Sequence, residues 1–201
     1  VYYRPEIFDL FERLKKEGKI LNLGVSVEKV EEALKAIEYP NVTTIQIIFN
    51  MFRQRPADLF FAQAVAKDVG IIVRVPLASG LLTGKYDRST TFGEGDHRFF
   101  NREGAAFDKG ETFSGIPFEV GLDTVEEVRA LFSEDENLAA VALRWILDFP
   151  EVSTIIPGVS RPDQLASNLA ALQLARLPAE SRAVIDAIYQ KSIRPLVHHL
   201  W

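Results

Sequence analysis

The chain has 201 residues, 47% of them hydrophobic and 25% charged, with a net charge of −5; this is the balance of a globular protein with a sizeable core and excludes wholesale disorder. No basic block marks a nucleic-acid surface, no apolar run approaches the roughly 18 residues that cross a bilayer, and Val1-Tyr2-Tyr3-Arg4-Pro5 lacks the apolar core of a signal peptide. Cysteine is absent, which removes disulfides, thiolate nucleophiles and Cys-type metal sites, so a cytoplasmic, soluble protein with a small-molecule ligand is expected, with neither nucleic acid nor membrane as partner. The chain begins at Val1 and Met51 is its only methionine, as expected either of a matured chain or of an incomplete sequence.

Pro5 opens a helix that runs through Phe8, Leu10, Phe11 and Leu14 until Gly18 stops it. Ile20 to Val25 reads as a strand, and Val27 to Ile37 as a helix with Val30, Ala33, Leu34 and Ile37 on one face. Val42 to Phe49 is a second strand, Pro56 to Val69 a helix, and Ile71 to Val75 a third strand opened by Gly70. After a long interruption, Val125 to Phe132 and Leu138 to Phe149 are helical, Val152 to Ile156 is a fourth strand, and Pro162 to Leu172 and Pro178 to Tyr189 close the chain as helices. Strands separated by helices pair in parallel through right-handed crossovers, either in an open doubly wound sheet or in part of a (β/α)8 TIM barrel. Four strands make half of such a barrel, whose full form takes about 250 residues.

The interruption Tyr86 to Gly121 is far longer than the usual connection of about 4–6 residues. It carries Phe92, Phe99, Phe100, Phe107, Phe113 and Phe118 among its glycines, and such aromatic content favours a lid over a disordered insertion. General signatures of chemistry are missing. No G-x-G-x-x-G follows a strand, Gly84-Lys85 lacks the P-loop context, and no Gly-x-Ser-x-Gly elbow is present. His97, His198 and His199 do not pair at i, i+4 as zinc ligands do. His97 sits in Asp96-His97-Arg98 and reads as a loop histidine held by its neighbours, the commoner case, or as a ligand contact, whereas His198 and His199 read as a solvated tail. Acidic pairs such as Glu126-Glu127 read as solvated helix faces.

Polar groups do gather where strands end: Ser26, Gln46, the run from Arg74 to Gly80, and Pro157 to Ser160. Any one of them is an ordinary cap or turn, but in a barrel all four lie on one rim, the carboxyl-terminal rim where ligands bind.

Ile71 to Lys85, with its Pro76-Leu77-Ala78-Ser79-Gly80-Leu81-Leu82-Thr83-Gly84-Lys85 turn, resembles the strand-seven segment of the aldo-keto reductases. Gly24-Val25-Ser26 resembles their strand-five motif, with Val27 where the family has asparagine, and Ile155 to Leu169 resembles their strand-eight segment. The resemblance spans essentially the whole chain and implies the carboxyl-terminal half of the family's barrel, from helix four onward, as a single domain over residues 1–201 with a lid at 86–121. It implies a nicotinamide cofactor, NADP(H) by family habit. Ser26 and Gln46 would then hold the carboxamide, and Arg74 would stack on the ring where the family has an aromatic residue. Pro76, Leu77, Ser79, Gly80, Leu81 and Lys85 would wrap the pyrophosphate. Gly158, Ser160, Gln164 and Asn168 would contact the adenosine, with Arg161 on the 2′-phosphate; Ser167 stands where many relatives have a carboxylate.

The family's catalytic aspartate, tyrosine, lysine and histidine belong to its first four strands, which have no counterpart here. A tyrosine with pKa near 10 donates a proton at neutral pH only beside a cation. The resemblance therefore implies reduction of a small carbonyl substrate by the parent protein, with this chain as its cofactor-binding half and inactive alone. The alternative is a non-catalytic nucleotide-binding or regulatory module of the same fold. Half a barrel also leaves open edges, through which two copies are expected to associate.

Overall fold

In the computed structural model, which describes residues 1–201, four strands form one parallel sheet in sequential order. These are β1 (Leu23–Ser26), β2 (Val42–Ile48), β3 (Gly70–Arg74) and β4 (Val152–Ile155). The helices are α1 (Pro5–Lys16), α2 (Val30–Ala36), α3 (Phe60–Ala66), α4 (His97–Phe100), α5 (Phe118–Arg129), α6 (Leu138–Leu147), α7 (Pro162–Leu169), α8 (Ala179–Ile188) and α9 (Arg194–Val197). None is long and apolar enough to cross a membrane.

The core follows from the two-residue period of the strands. Ile45 pairs with Ile71 and Ile47 with Val73, so these β-branched side chains share one face, and each is at most 1% exposed. Ala33 and Ala36 of α2, Phe60, Phe61 and Ala64 of α3, and Trp145 and Ile146 of α6 belong to the same apolar cluster. Burying each large member contributes roughly 1.5–3 kcal/mol. Phe49, Phe61, Trp145 and Phe149 interlock, with ring centroids 4.8–5.2 Å apart around Phe49. The opposite face is open: Gly24, Ser26 and Thr154 are exposed and Thr44, Gln46 and Ile72 half-buried. β1 and β4 are each paired on one side only.

Several boundaries move from those the sequence suggests. β1 starts at Leu23 because its only neighbour, β2, begins at Val42, the partner of Leu23. Val27 extends the ladder by donating its N–H to the Gln46 carbonyl (3.0 Å), which delays α2. The Glu32 carboxylate then takes the N–H groups of Glu28 and Lys29 (2.9 and 3.0 Å) and starts the helix. The Pro56 helix divides into a 3₁₀ turn at Arg55–Ala57 and α3. α5 begins at Phe118, so the lid-like segment ends at Pro117 and Gly121 lies inside the helix against Leu81. Because the strands are parallel, their carboxyl ends share one rim, and that rim carries the candidate site.

Candidate functional site

The chain leaves β3 through a run of backbone conformations that side chains disfavour. Val75 (φ 49°), Ala78 (48°), Ser79 (55°) and Gly80 (98°) all lie in the left-handed region, at a penalty of order 1–3 kcal/mol for each non-glycine residue. The surroundings impose it. Asn50 Nδ2 donates to the Val75 carbonyl (2.9 Å). Ser79 Oγ donates to the Glu111 carbonyl (2.9 Å) and accepts the Phe113 N–H (3.1 Å). At Gly80 a Cβ would overlap the Tyr86 hydroxyl, so the position demands glycine twice over, by space and by φ.

This turn forms one wall of a cleft of about 870 Å³, a size typical of a small-molecule or cofactor site. The structure brings ten of the fourteen sequence-predicted residues into its lining: Arg74, Pro76, Leu77, Ser79, Gly80, Lys85, Gly158, Ser160, Gln164 and Asn168. Ser26, Gln46, Leu81 and Arg161 do not line it. Ser26 Oγ donates to Gln46 Oε1 (2.9 Å) on the open sheet face. Leu81 is 1% exposed in the core, and Arg161 is tied to Asp163 (3.1 and 3.3 Å) on the surface. On the far wall, Gln164 Oε1 accepts both the N–H and the Oγ–H of Ser160 (2.8 and 3.0 Å), which shapes the entry to α7. Asn168 Nδ2 is buried without a hydrogen-bond partner.

The third wall is the lid-like segment, which contributes Tyr86, His97, Arg98, Phe107 and Glu111. Of these the sequence had marked only the Asp96-His97-Arg98 tripeptide. Asp96 receives the Arg98 guanidinium (2.8 and 2.5 Å) and the Arg98 N–H (2.9 Å). The Arg98 hydrogen bonds hold the Asp96 carboxyl down at about 2. Arg98 also donates to the Tyr86 hydroxyl and lies 4.8 Å from the Phe92 ring centroid. His97 Nδ1 is bonded to Thr112 Oγ1 (3.2 Å).

Arg74, at the end of β3, has a side chain only 12% exposed and is held between two carboxylates. Nη1 pairs with Glu111, and Nη2 pairs with Glu28 Oε1 (2.8 Å) and donates to the Val27 carbonyl (3.0 Å). Burial pushes the Glu28 carboxyl above its usual range despite Arg74, with Glu111 adding to the rise. Lys85 is exposed and makes no ion pair, so it is the cleft cation with an unspent charge.

The carboxyl-terminal tail corrects the sequence reading. His198 is half-buried: its Nδ1 meets the Tyr189 hydroxyl (2.8 Å) and its Nε2 the Asp58 carboxylate (3.1 Å). His199 is exposed, whereas Trp201 is 6% exposed and packs beneath the lid. The tail is drawn in because α9 carries Val197 into the core cluster with Ile193. Two histidines at a chain end carry no periodic signal that would reveal this.

The chain is 26% identical over 178 residues to an L-glyceraldehyde 3-phosphate reductase, covering 85% of this chain and 50% of that protein. It is 26% identical over 174 residues to an NADH-specific methylglyoxal reductase, covering 84% and 49%; both relatives are from Escherichia coli. The structure superposes on a glycerol dehydrogenase from Gluconobacter oxydans with a TM-score of 0.69 at 27% identity, over 91% of this chain and 53% of that one. The chain thus spans about half the length of the relatives it matches. Residues 2–190 match the aldo/keto reductase family, and with its parallel sheet and its cleft at the strand ends the chain belongs to that family.

Proposed function

We propose that the cleft binds a reduced nicotinamide nucleotide and that the protein serves an oxidoreductase converting aldehydes or ketones to alcohols. The observation that carries this reading is the turn Val75–Gly80, left-handed at Val75, Ala78, Ser79 and Gly80, opening onto a cleft that also holds the unpaired Lys85. Strain of this kind persists where it serves binding, and a free ammonium beside it suits a pyrophosphate. The orphaned Asn168 Nδ2 is a buried donor aimed at no protein acceptor, as a ligand-facing group would be. When bound, the nucleotide supplies the hydride. The chain's own groups hold and orient it: the β3 turn and Lys85 at the phosphates, α7 and its entry at the adenosine, and the lid over them.

The nucleotide is NADPH in this reading, although one relative is named as NADH-specific. Arg161 already shares its charge with Asp163, so discrimination between the two nucleotides is expected to be modest. The family's proton-donating groups lie outside residues 1–201, and the chain is expected to bind nucleotide without turning over alone, as the cofactor-binding carboxyl-terminal half of the barrel. Calorimetric titration tests this. NADPH should bind saturably to the native chain, and Lys85→Ala should weaken it by roughly tenfold, the effect of one charge-assisted phosphate contact. Absence of binding by both NADPH and NADH would refute the proposal.

A further inference from the structure

The segment that lines the cleft with Glu111 also packs, through Asp108–Gly115, on Trp201. Trp201 Nε1–H donates to Asp108 Oδ1 (2.8 Å). The indole fills the space left by two glycines: a Cβ on Gly110 would lie 2.9 Å from Cε2, and one on Gly115 2.5 Å from Cη2. Arg53 covers the ring at 4.1 Å. Arg53 is 3% exposed, with Nη1 lacking any hydrogen-bond partner. A buried guanidinium is costly unless compensated, and the indole face supplies compensation as a cation–π contact.

From Arg53 the contacts return to the cleft. Arg53 Nη2 donates to the Glu28 carbonyl (2.9 Å), and the Glu28 carboxylate holds Arg74 Nη2 (2.8 Å). Arg74 Nη1 pairs with Glu111, one 3₁₀ turn beyond Asp108. The circuit is closed, from Trp201 through Asp108 and Glu111 to Arg74, then through Glu28 and Arg53 back to Trp201. We propose that Trp201, which does not line the cleft, is a positioning residue that anchors the lid and sets Arg74 and Glu111, so that nucleotide affinity depends on it. The consequence for affinity rests on the nucleotide reading of the cleft; the anchoring does not. The rest of the tail has its own ties through His198 to Asp58 and Tyr189 and through Arg55 Nη1 to the Trp201 carbonyl (2.5 Å), and these do not involve the indole.

Limited trypsin digestion of the full chain, read by mass spectrometry, tests both parts. Without nucleotide, Trp201→Ala should speed cleavage after Arg98, Arg102 and Lys109 roughly tenfold, as expected for loss of a local anchor, while cleavage after Lys16 and Lys191 stays unchanged. Trp201→Phe keeps the ring and loses the N–H, and should speed the lid cuts roughly twofold to threefold; it decides the matter if the alanine variant does not fold. NADPH should protect the native lid, and Trp201→Phe should need several-fold more for half protection. Equal lid cleavage in native and variant chains, or acceleration at every site alike, overturns the anchor. If NADPH fails to protect the native lid, the nucleotide reading fails, and the nucleotide-free comparison still decides the anchor.

Discussion

Gly80 carries the steepest local demand in the cleft, with φ at 98° and the Tyr86 hydroxyl where a Cβ would stand. Gly80→Ala is expected to destabilise the protein by about 1–3 kcal/mol, measured by urea unfolding, and to weaken NADPH binding further through displacement of Tyr86 and Arg98. A variant with native stability and affinity would show that the turn tolerates a side chain. At this scale the sequence was informative where residue type and conformation agree, as at Gly80 and Gly84. It was silent at Val75 and Ala78, whose types give no hint of a positive φ. That strain is imposed by contacts with Asn50 and with the Glu111 segment, distant in sequence. Arg74 was legible as a strand-end residue, but its two carboxylates were not, because Glu28 and Glu111 lie 46 positions before it and 37 after it.

The strands and most helices were legible because their apolar residues repeat with the period of the element and Gly or Pro punctuates them. The segment between β3 and α5 was legible as a long, aromatic-rich connection, and its internal turns at His97–Phe100, Lys109–Glu111 and Phe113–Gly115 were not. The tail escaped entirely, since its partners Asp58, Arg53 and Asp108 are 93 or more residues away. His198 makes that docking pH-dependent. Burial, with help from Arg194 and Arg55, pushes its pKa below the ordinary value, while Asp58 opposes. A depressed folded-state value means that the unfolded chain binds the proton more readily. The contribution is therefore complete above the ordinary histidine range and lost as pH falls through the folded value. The melting temperature should drop between about pH 7 and about pH 5, and less so in His198→Gln. Identical pH profiles for the two proteins would remove His198 from the account.

The whole molecule is a four-stranded parallel sheet covered by helices on one face, with an open second face and two unshared edges. α7 adds an uncovered apolar stripe, with Leu165, Leu169 and, just beyond it, Leu172 each about half-exposed (48–59%). At the other edge Leu10 and Leu21 are exposed on and after α1. Open edges flanked by apolar surface favour association. Light scattering after size exclusion is expected to give at least twice the chain mass, and a stable monomer at high concentration would contradict this. Parallel pairing was readable from the alternation of elements, whereas the sequential strand order and the open face belong to the assembled sheet. Hydrogen–deuterium exchange on the full chain, with and without NADPH, tests the central claim most directly, because it reads affinity and location together. Slowed exchange confined to residues 75–85, 97–111 and 156–168 is the predicted result. Unchanged exchange at saturating NADPH, or protection elsewhere, would contradict the assignment of the strand-end cleft as the nucleotide site.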